Sequence, residues 1–136
     1  MSTSAERFVY LDASALVKLV VTEKETPALK AFLASHRARV SSALVRVEVP
    51  LAVHRHGPGS SQRAARLIAR IDLIVLDDET LDAAGRLHGV GLRSLDAIHV
   101  ASALRLEGEV STLVTYDKRM QDAAVAVGLR WHAPGP

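Results

Sequence analysis

Short apolar segments that favour β-strands alternate along this chain with segments that favour α-helices. The strand-like segments are rich in β-branched and aromatic residues, and they predict strands at Phe8–Leu11, Val40–Ser42, Ile71–Leu76, Val110–Thr115 and Leu129–His132. Because strands that alternate with helices form parallel sheets with right-handed crossovers, we expect a mostly parallel central sheet of four to five strands. The predicted fold class is a three-layer α/β/α domain. The nearly unbroken apolar run at Ile71–Leu76 further predicts a strand covered on both faces.

Apolar residues at helical spacing and helix-capping residues predict the helices between these strands. The predicted ranges are Ser14 to about Val21 with Ser14 as N-cap, a helix with Pro27 in its first turn, Ala43 to His56, Ser60 to Arg70, Asp77 or Asp78 to about Leu87, Ser94 to Leu106, and Asp117 to Val127. The third helix is expected to pack through Leu44, Val47 and Leu51. The sixth is expected to pack through Leu95, Ile98, Ala101, Ser102 and Leu106.

Length and composition fit one ordinary domain. A chain of 136 residues is long enough for one hydrophobic core and short of two, so residues 1–136 are assigned to a single domain. Apolar residues make up 49% and charged residues 24%, which excludes disordered and membrane classes. The absence of cysteine excludes a disulfide framework and a thiolate metal site, and it suits a reducing compartment.

The sequence shows neither a membrane span nor a pattern typical of a signal peptide. The longest apolar stretches, Leu16–Val21 and Ala43–Val53, are interrupted by Lys18, Arg46 and Glu48. Residues 2–7 are polar, and the apolar run after them is too short for the hydrophobic region of a signal peptide. We therefore expect a cytoplasmic protein that has no membrane partner.

Four carboxylates each stand where a strand-like segment ends or a helix-like segment begins: Asp12, Glu48, Asp96 and Asp117. Side chains at the carboxyl ends of parallel strands line the ligand crevice of an open α/β sheet, so Asp12 and Asp117 are expected side by side. Gathered carboxylates suit a hard divalent cation. Taken singly, each acid has a structural alternative: Asp12 and Asp117 as helix caps, Asp96 as a favourable charge at a helix N-terminus, and Glu48 as the partner of an arginine.

The motifs around these acids resemble those of the PIN-domain ribonucleases, most closely the VapC toxins of bacterial toxin–antitoxin pairs. The matching segments follow the family's motif order over nearly the whole chain: Leu11–Lys18, Val47–Val49 after Ser41-Ser42, Ser94–Ala101 and Val114–Arg119. The resemblance implies a PIN-like, metal-dependent endoribonuclease that hydrolyses RNA phosphodiester bonds and is silenced by a small cognate antitoxin. It also implies a homodimer formed through apolar helices, for which Val53, Leu67 and Ile68 are candidates.

The same resemblance assigns roles to individual residues. Asp12, Glu48, Asp96 and Asp117 would bind the metal ion directly or through water, and their oxygen donors favour Mg²⁺ or Mn²⁺ over zinc. Ser14 and Thr115 would hold a carboxylate or a metal-bound water. Further contacts, to the phosphate of the substrate, would come from Lys18 and Arg119.

Two residues beside these motifs bear on the site. His99 stands three residues after Asp96; a catalytic base is conceivable there, but a lone histidine on a helix flank is usually a satisfied or solvated side chain. Pro50 stands two residues after Glu48 and cannot donate a hydrogen bond to the Arg46 carbonyl. A proline inside a helix usually kinks it, so the direction of Glu48 is expected to depend on Pro50.

Other functions remain open at this point. One is a PIN-type nuclease for RNA processing, or for structured DNA, without an antitoxin; another is a non-catalytic binding module that retains the fold. A dehalogenase-like phosphatase would need a second aspartate at the position of Ser14. One third of the chain is rich in arginines that could face phosphate or simply be solvated: Arg37, Arg39, Arg46, Arg55, Arg63, Arg66 and Arg70.

Overall fold

A computed structural model of the chain describes residues 7–89 and 91–136, so the polar residues 2–6 and Val90 lie outside it. Within that part of the chain, five strands alternate with seven α-helices. The strands are β1 (Phe8–Leu11), β2 (Arg39–Ser42), β3 (Asp72–Ile74), β4 (Val110–Val114) and β5 (Trp131–His132). The helices are α1 (Ala13–Val20), α2 (Thr26–Ala34), α3 (Val45–Val53), α4 (Ser60–Ile68), α5 (Asp78–Gly85), α6 (Ser94–Arg105) and α7 (Lys118–Ala126).

The strands form one parallel sheet in the order β3-β2-β1-β4-β5. This confirms the predicted α/β class and the three-layer arrangement, with five strands in the sheet. Because β1 is paired with β2 on one side and with β4 on the other, the carboxyl ends of these three strands meet at one edge. That edge is where ligands bind in open parallel sheets. No helix among the described residues is long and apolar enough to span a membrane.

Strand β1 is buried because its side chains alternate between two hydrophobic cores. Val9 and Leu11 enter a core that also contains buried residues of α1, α2, α3 and α4. Tyr10 points into the opposite core, together with buried residues of α6 and α7. Removing one large aliphatic side chain from water contributes about 1.5–3 kcal/mol, so the two cores hold the helices against the sheet.

Helix α3 buries a different face from the one that its sequence predicts. Val45, Val49 and Val53 are buried, whereas Val47 is 58% exposed and Leu51 is 74% exposed. Apolar residues occupy both faces of this helix, so helical spacing alone could not identify the inner one. The predicted packing face was therefore wrong. Two residues considered for a dimer interface, Val53 and Ile68, are buried in the core.

The strand predicted at Ile71–Leu76 is shorter than expected and lies at the edge of the sheet. Only Asp72–Ile74 is paired, and β3 is an edge strand rather than a strand covered on both faces. Val75 and Leu76, which follow it, are exposed. A short apolar run does not reveal whether its strand lies at the centre or at the edge of a sheet.

Helix α6 also differs in its packing face. Ala101 and Ser102 are buried as expected, but Leu95 is largely exposed. His99, which was placed on the flank of the helix, is only 1% exposed and faces the sheet. The buried face of α6 therefore differs from the predicted face by a rotation around the helix axis. The face that is buried includes the imidazole of His99.

Candidate active site

Asp12 directly follows β1 and is the N-cap of α1, a position that the sequence analysis gave to Ser14. The side chain is buried, and its Oδ1 accepts hydrogen bonds from the Ser14 hydroxyl at 2.6 Å and the Ala15 amide at 3.0 Å. Its Oδ2 accepts a hydrogen bond from the Thr115 hydroxyl at 2.5 Å. Burial raises the pKa of the Asp12 carboxyl, while nearby His99 and the hydrogen bonds from Ser14 and Thr115 lower it.

The same two hydroxyls connect α1 to the segment that follows β4. The Ser14 oxygen accepts a hydrogen bond from the Tyr116 amide at 2.9 Å, and the Thr115 hydroxyl oxygen accepts one from the Asp117 amide at 3.1 Å. Asp117 is in turn the N-cap of α7, and its Oδ1 accepts a hydrogen bond from the Arg119 amide. Asp12 and Asp117 therefore lie at the ends of neighbouring strands, joined through one hydrogen-bonded turn.

Glu48 reaches from α3 to α6. Its Oε1 lies 2.6 Å from Nε2 of His99, and Nδ1 of His99 lies 2.8 Å from the Tyr10 hydroxyl. An ionised carboxylate can only accept, so Nε2 of His99 carries the hydrogen of this bond. The sequence analysis missed this connection, because the three residues are far apart in the chain and no local spacing links them.

Asp96 lies in the first turn of α6 and is partly buried. Burial raises the pKa of its carboxyl, and the negative charge of Asp117 raises it further. Glu48 acts in the same direction, while His99 and Arg119 lower the pKa. Asp96 thus lies within electrostatic range of acids from α3 and from the turn before α7.

The chemistry of the donor set fits a hard divalent cation. The candidate ligands are carboxylates, and the neighbouring hydroxyls of Ser14 and Thr115 are already hydrogen-bonded to Asp12. Among the described residues, no three acidic or imidazole side chains are close enough together to hold an ion by themselves. Carboxylate and water oxygens are the ligands that Mg²⁺ and Mn²⁺ prefer, whereas zinc favours nitrogen and sulfur ligands.

The two cations assigned to phosphate differ in their surroundings. Nζ of Lys18 lies 3.0 Å from Glu25 and 3.5 Å from Glu23, and 4.7 Å from the centre of the Tyr116 ring. The charge of Lys18 is therefore paired with two glutamates of the loop that leads into α2. Arg119 is exposed, and its positive charge lowers the pKa of Asp96. The guanidinium is therefore near the carboxylates.

Three comparisons with known proteins bear on this site. The family model described as PIN domain matches residues 9–126. Ribonuclease VapC46 of Mycobacterium tuberculosis (strain ATCC 25618 / H37Rv) is 46% identical over 126 residues, which cover 93% of this chain and 97% of the relative.

Two solved structures share the fold. A crystal structure of Mycobacterium tuberculosis VapC20, described as a sarcin-ricin loop cleaving toxin, matches with a TM-score of 0.72 at 19% identity and covers 89% of this chain and 95% of that one. A toxin–antitoxin complex from Klebsiella pneumoniae matches with a TM-score of 0.68 at 18% identity and covers 83% and 89%. At these identities the two structures bear on the fold alone.

We predict that Asp96→Asn stabilises the metal-free protein at neutral pH. A carboxyl whose folded-state pKa is raised opposes folding once it is ionised, so the asparagine gains stability above that pKa. The gain should shrink as pH falls through the raised folded-state pKa and disappear below 3.8, the ordinary value, because the wild-type carboxyl is then protonated in both states. Urea unfolding in EDTA at several pH values measures the difference.

The control for this prediction is Asp82→Asn, because Asp82 is an exposed aspartate of α5 outside the crevice. Its stability relative to wild type should show no comparable gain at neutral pH. If the two substitutions changed the free energy of unfolding equally, the ionised Asp96 carboxylate would not be destabilising the folded protein.

Proposed function

This chain belongs to the PIN-domain family, and on that basis we propose that residues 1–136 form one endoribonuclease domain that acts as the toxin of a toxin–antitoxin pair. It hydrolyses RNA phosphodiester bonds in the cytoplasm, at a Mg²⁺ or Mn²⁺ site formed by Asp12, Glu48, Asp96 and Asp117. What supports the proposal is that Asp12 and Asp117 follow the neighbouring strands β1 and β4, and that Asp96 lies within electrostatic range of Asp117 and Glu48: burial raises the pKa of Asp96, and these two charges raise it further. Acids that repel one another in this way favour a cation between them.

Each side chain contributes separately to such a site. Asp12 is held by three hydrogen bonds, so its direction is set before an ion or substrate arrives. Glu48 is held by His99, while Asp96 and Asp117 supply further negative charge. A divalent ion held by these acids would supply activation of a water molecule and neutralisation of charge on the phosphate. Arg119, exposed beside the acids, is the protein cation available to the substrate phosphate.

We predict that Asp96→Asn lowers RNA cleavage by about 100-fold or more, because metal catalysis contributes several kcal/mol to transition-state stabilisation. Defined RNAs incubated with Mg²⁺, Mn²⁺ or EDTA, with wild type beside the variant, measure the effect. Asp82→Asn is again the matched control and should cleave like wild type. Cleavage that persists in EDTA, or an Asp96→Asn variant as fast as wild type, would contradict the metal-site assignment.

An antitoxin is the proposed partner. The support is the fold shared with the toxin–antitoxin complex from Klebsiella pneumoniae, together with the proposed crevice of carboxylates, which is complementary to basic side chains when no metal is bound. An antitoxin segment lying across this crevice would place an arginine or lysine against the acids. Such a contact would silence the enzyme by occupying the position of the cation.

We expect expression of the wild-type chain to arrest bacterial growth unless its antitoxin is co-expressed. Asp96→Asn should be harmless at the same expression level, because toxicity depends on cleavage. Growth curves with matched immunoblots measure both. Normal growth despite a chain that cleaves RNA would favour the alternative, an RNA-processing nuclease without an antitoxin.

Exposed apolar side chains on α3 support a homodimer. Val47 and Leu51 project from α3 into solvent, while its opposite face is buried in the core. Contiguous exposed apolar side chains on one helix are typical of an interface between subunits. We therefore propose that this face of α3 contacts a second copy of the chain.

We predict that Leu51→Glu converts the dimer into a monomer, because an unpaired charge in an apolar interface costs several kcal/mol. Light scattering coupled to size exclusion measures the mass. Val125→Glu is the matched control, since Val125 is 68% exposed on α7 and should leave the dimer intact. A wild-type chain that is monomeric at micromolar concentration would contradict the proposed interface.

A further inference from the structure

A buried line of hydrogen bonds connects Glu48 to the centre of the sheet. Tyr10 of β1 and His99 of α6 are almost completely buried, and the rings meet edge to face with their centres 5.8 Å apart. The imidazole contacts Glu48 with Nε2 and Tyr10 with Nδ1. Both ring nitrogens are therefore engaged, and His99 could bind a metal ion or act as a base only by giving up one of these bonds.

The Glu48 carboxylate has few other constraints. Among the described residues, the hydrogen bond to its carboxylate comes from His99, whereas Asp12 receives three. The glutamate side chain has three rotatable bonds, so holding it in one orientation costs conformational entropy. The Glu48 amide donates to the Leu44 carbonyl, but Pro50, two residues later, cannot donate a hydrogen bond to the Arg46 carbonyl. The orientation of this carboxylate thus depends on a contact from outside α3.

We propose that His99 is a positioning residue that holds Glu48 in the crevice, and that Tyr10 in turn fixes the imidazole. The inference rests on the proposed function, because it concerns how one candidate metal ligand is oriented. His99 bonds to Oε1 alone, and Tyr10 prevents the ring from turning away from Glu48. Groups behind metal ligands commonly fix their direction in this way, and losing them typically lowers metal affinity 10- to 100-fold.

The experiment compares Mn²⁺ affinity, measured by titration calorimetry, in single variants of the full chain. His99→Asn shortens the side chain so that it cannot reach Glu48, and it should weaken Mn²⁺ binding about 10-fold. His99→Gln retains an amide donor near the position of Nε2 and should restore part of the affinity. Tyr10→Phe removes only the hydroxyl and should weaken binding less than His99→Asn. His54→Asn, at an exposed histidine after α3, is the matched control.

A double-variant cycle separates positioning from a general structural effect. If His99 acts through Glu48, then His99→Asn should change Mn²⁺ affinity little in a Glu48→Gln background, because the carboxylate it orients is already absent. Urea unfolding of every variant identifies any that is not folded. Tyr10→Phe and His99→Gln keep the test decisive if His99→Asn unfolds.

Three outcomes would overturn the proposal, and they show whether the proposed metal site fails with it. Wild-type Mn²⁺ affinity in both His99→Asn and Tyr10→Phe would overturn the positioning role while leaving the metal site intact. An equal loss of affinity from His99→Asn with and without Glu48 would also overturn it. A wild-type chain that binds no Mn²⁺ would overturn the proposed metal site, and the positioning role with it. Loss in the single variant, partial rescue by His99→Gln and no additivity with Glu48→Gln would support it.

Discussion

The buried carboxylate of Asp12 is the constraint on which the structure of the carboxyl edge of the sheet depends. A carboxylate taken out of water is strongly destabilised unless donors replace the lost hydration. Here the donors are two hydroxyls and the first turn of a helix, contributed by Ser14, Thr115 and Ala15. The two hydroxyl oxygens also accept hydrogen bonds from backbone amides of the turn after β4. The hydrogen bonds that stabilise this one charge therefore connect β1, α1 and β4.

The acids around this unit are held to different degrees. Asp117 is fixed as a helix cap, Glu48 by one imidazole, and Asp96 stands half-buried among charges that act in both directions. Such an arrangement is unfavourable for the folded protein alone, because burial and like charges both oppose ionisation. Active sites often carry this kind of local destabilisation, since the groups are arranged for a bound ion and substrate rather than for stability.

The sequence predicted those features that follow from short-range patterns. Alternation of strands and helices predicted a mostly parallel sheet of four to five strands, and the strand-end position of Asp12 predicted its place at the carboxyl edge of the sheet. Sequence patterns failed where both faces of a helix are apolar. Helix α3 carries valines on both faces, so the prediction buried Val47, whereas the structure buries Val49. They also failed for contacts between distant segments. Glu48 and His99 are 51 positions apart, and no periodicity records that their side chains meet.

The order of strands in the parallel sheet places residues from both ends of the chain at the same edge. The strand next to β1 on one side is β4, so the hydrogen bond from Thr115 to Asp12 joins residues 103 positions apart. Chains are made from the N-terminus, and a domain generally folds as a unit. An unfinished chain therefore contains Asp12, Glu48 and Asp96 before it has the strand, the hydroxyl and the fourth acid that complete the edge. A fragment from a broken message or a stalled ribosome that ends before β4 lacks both Thr115 and Asp117, and with them part of the proposed metal site.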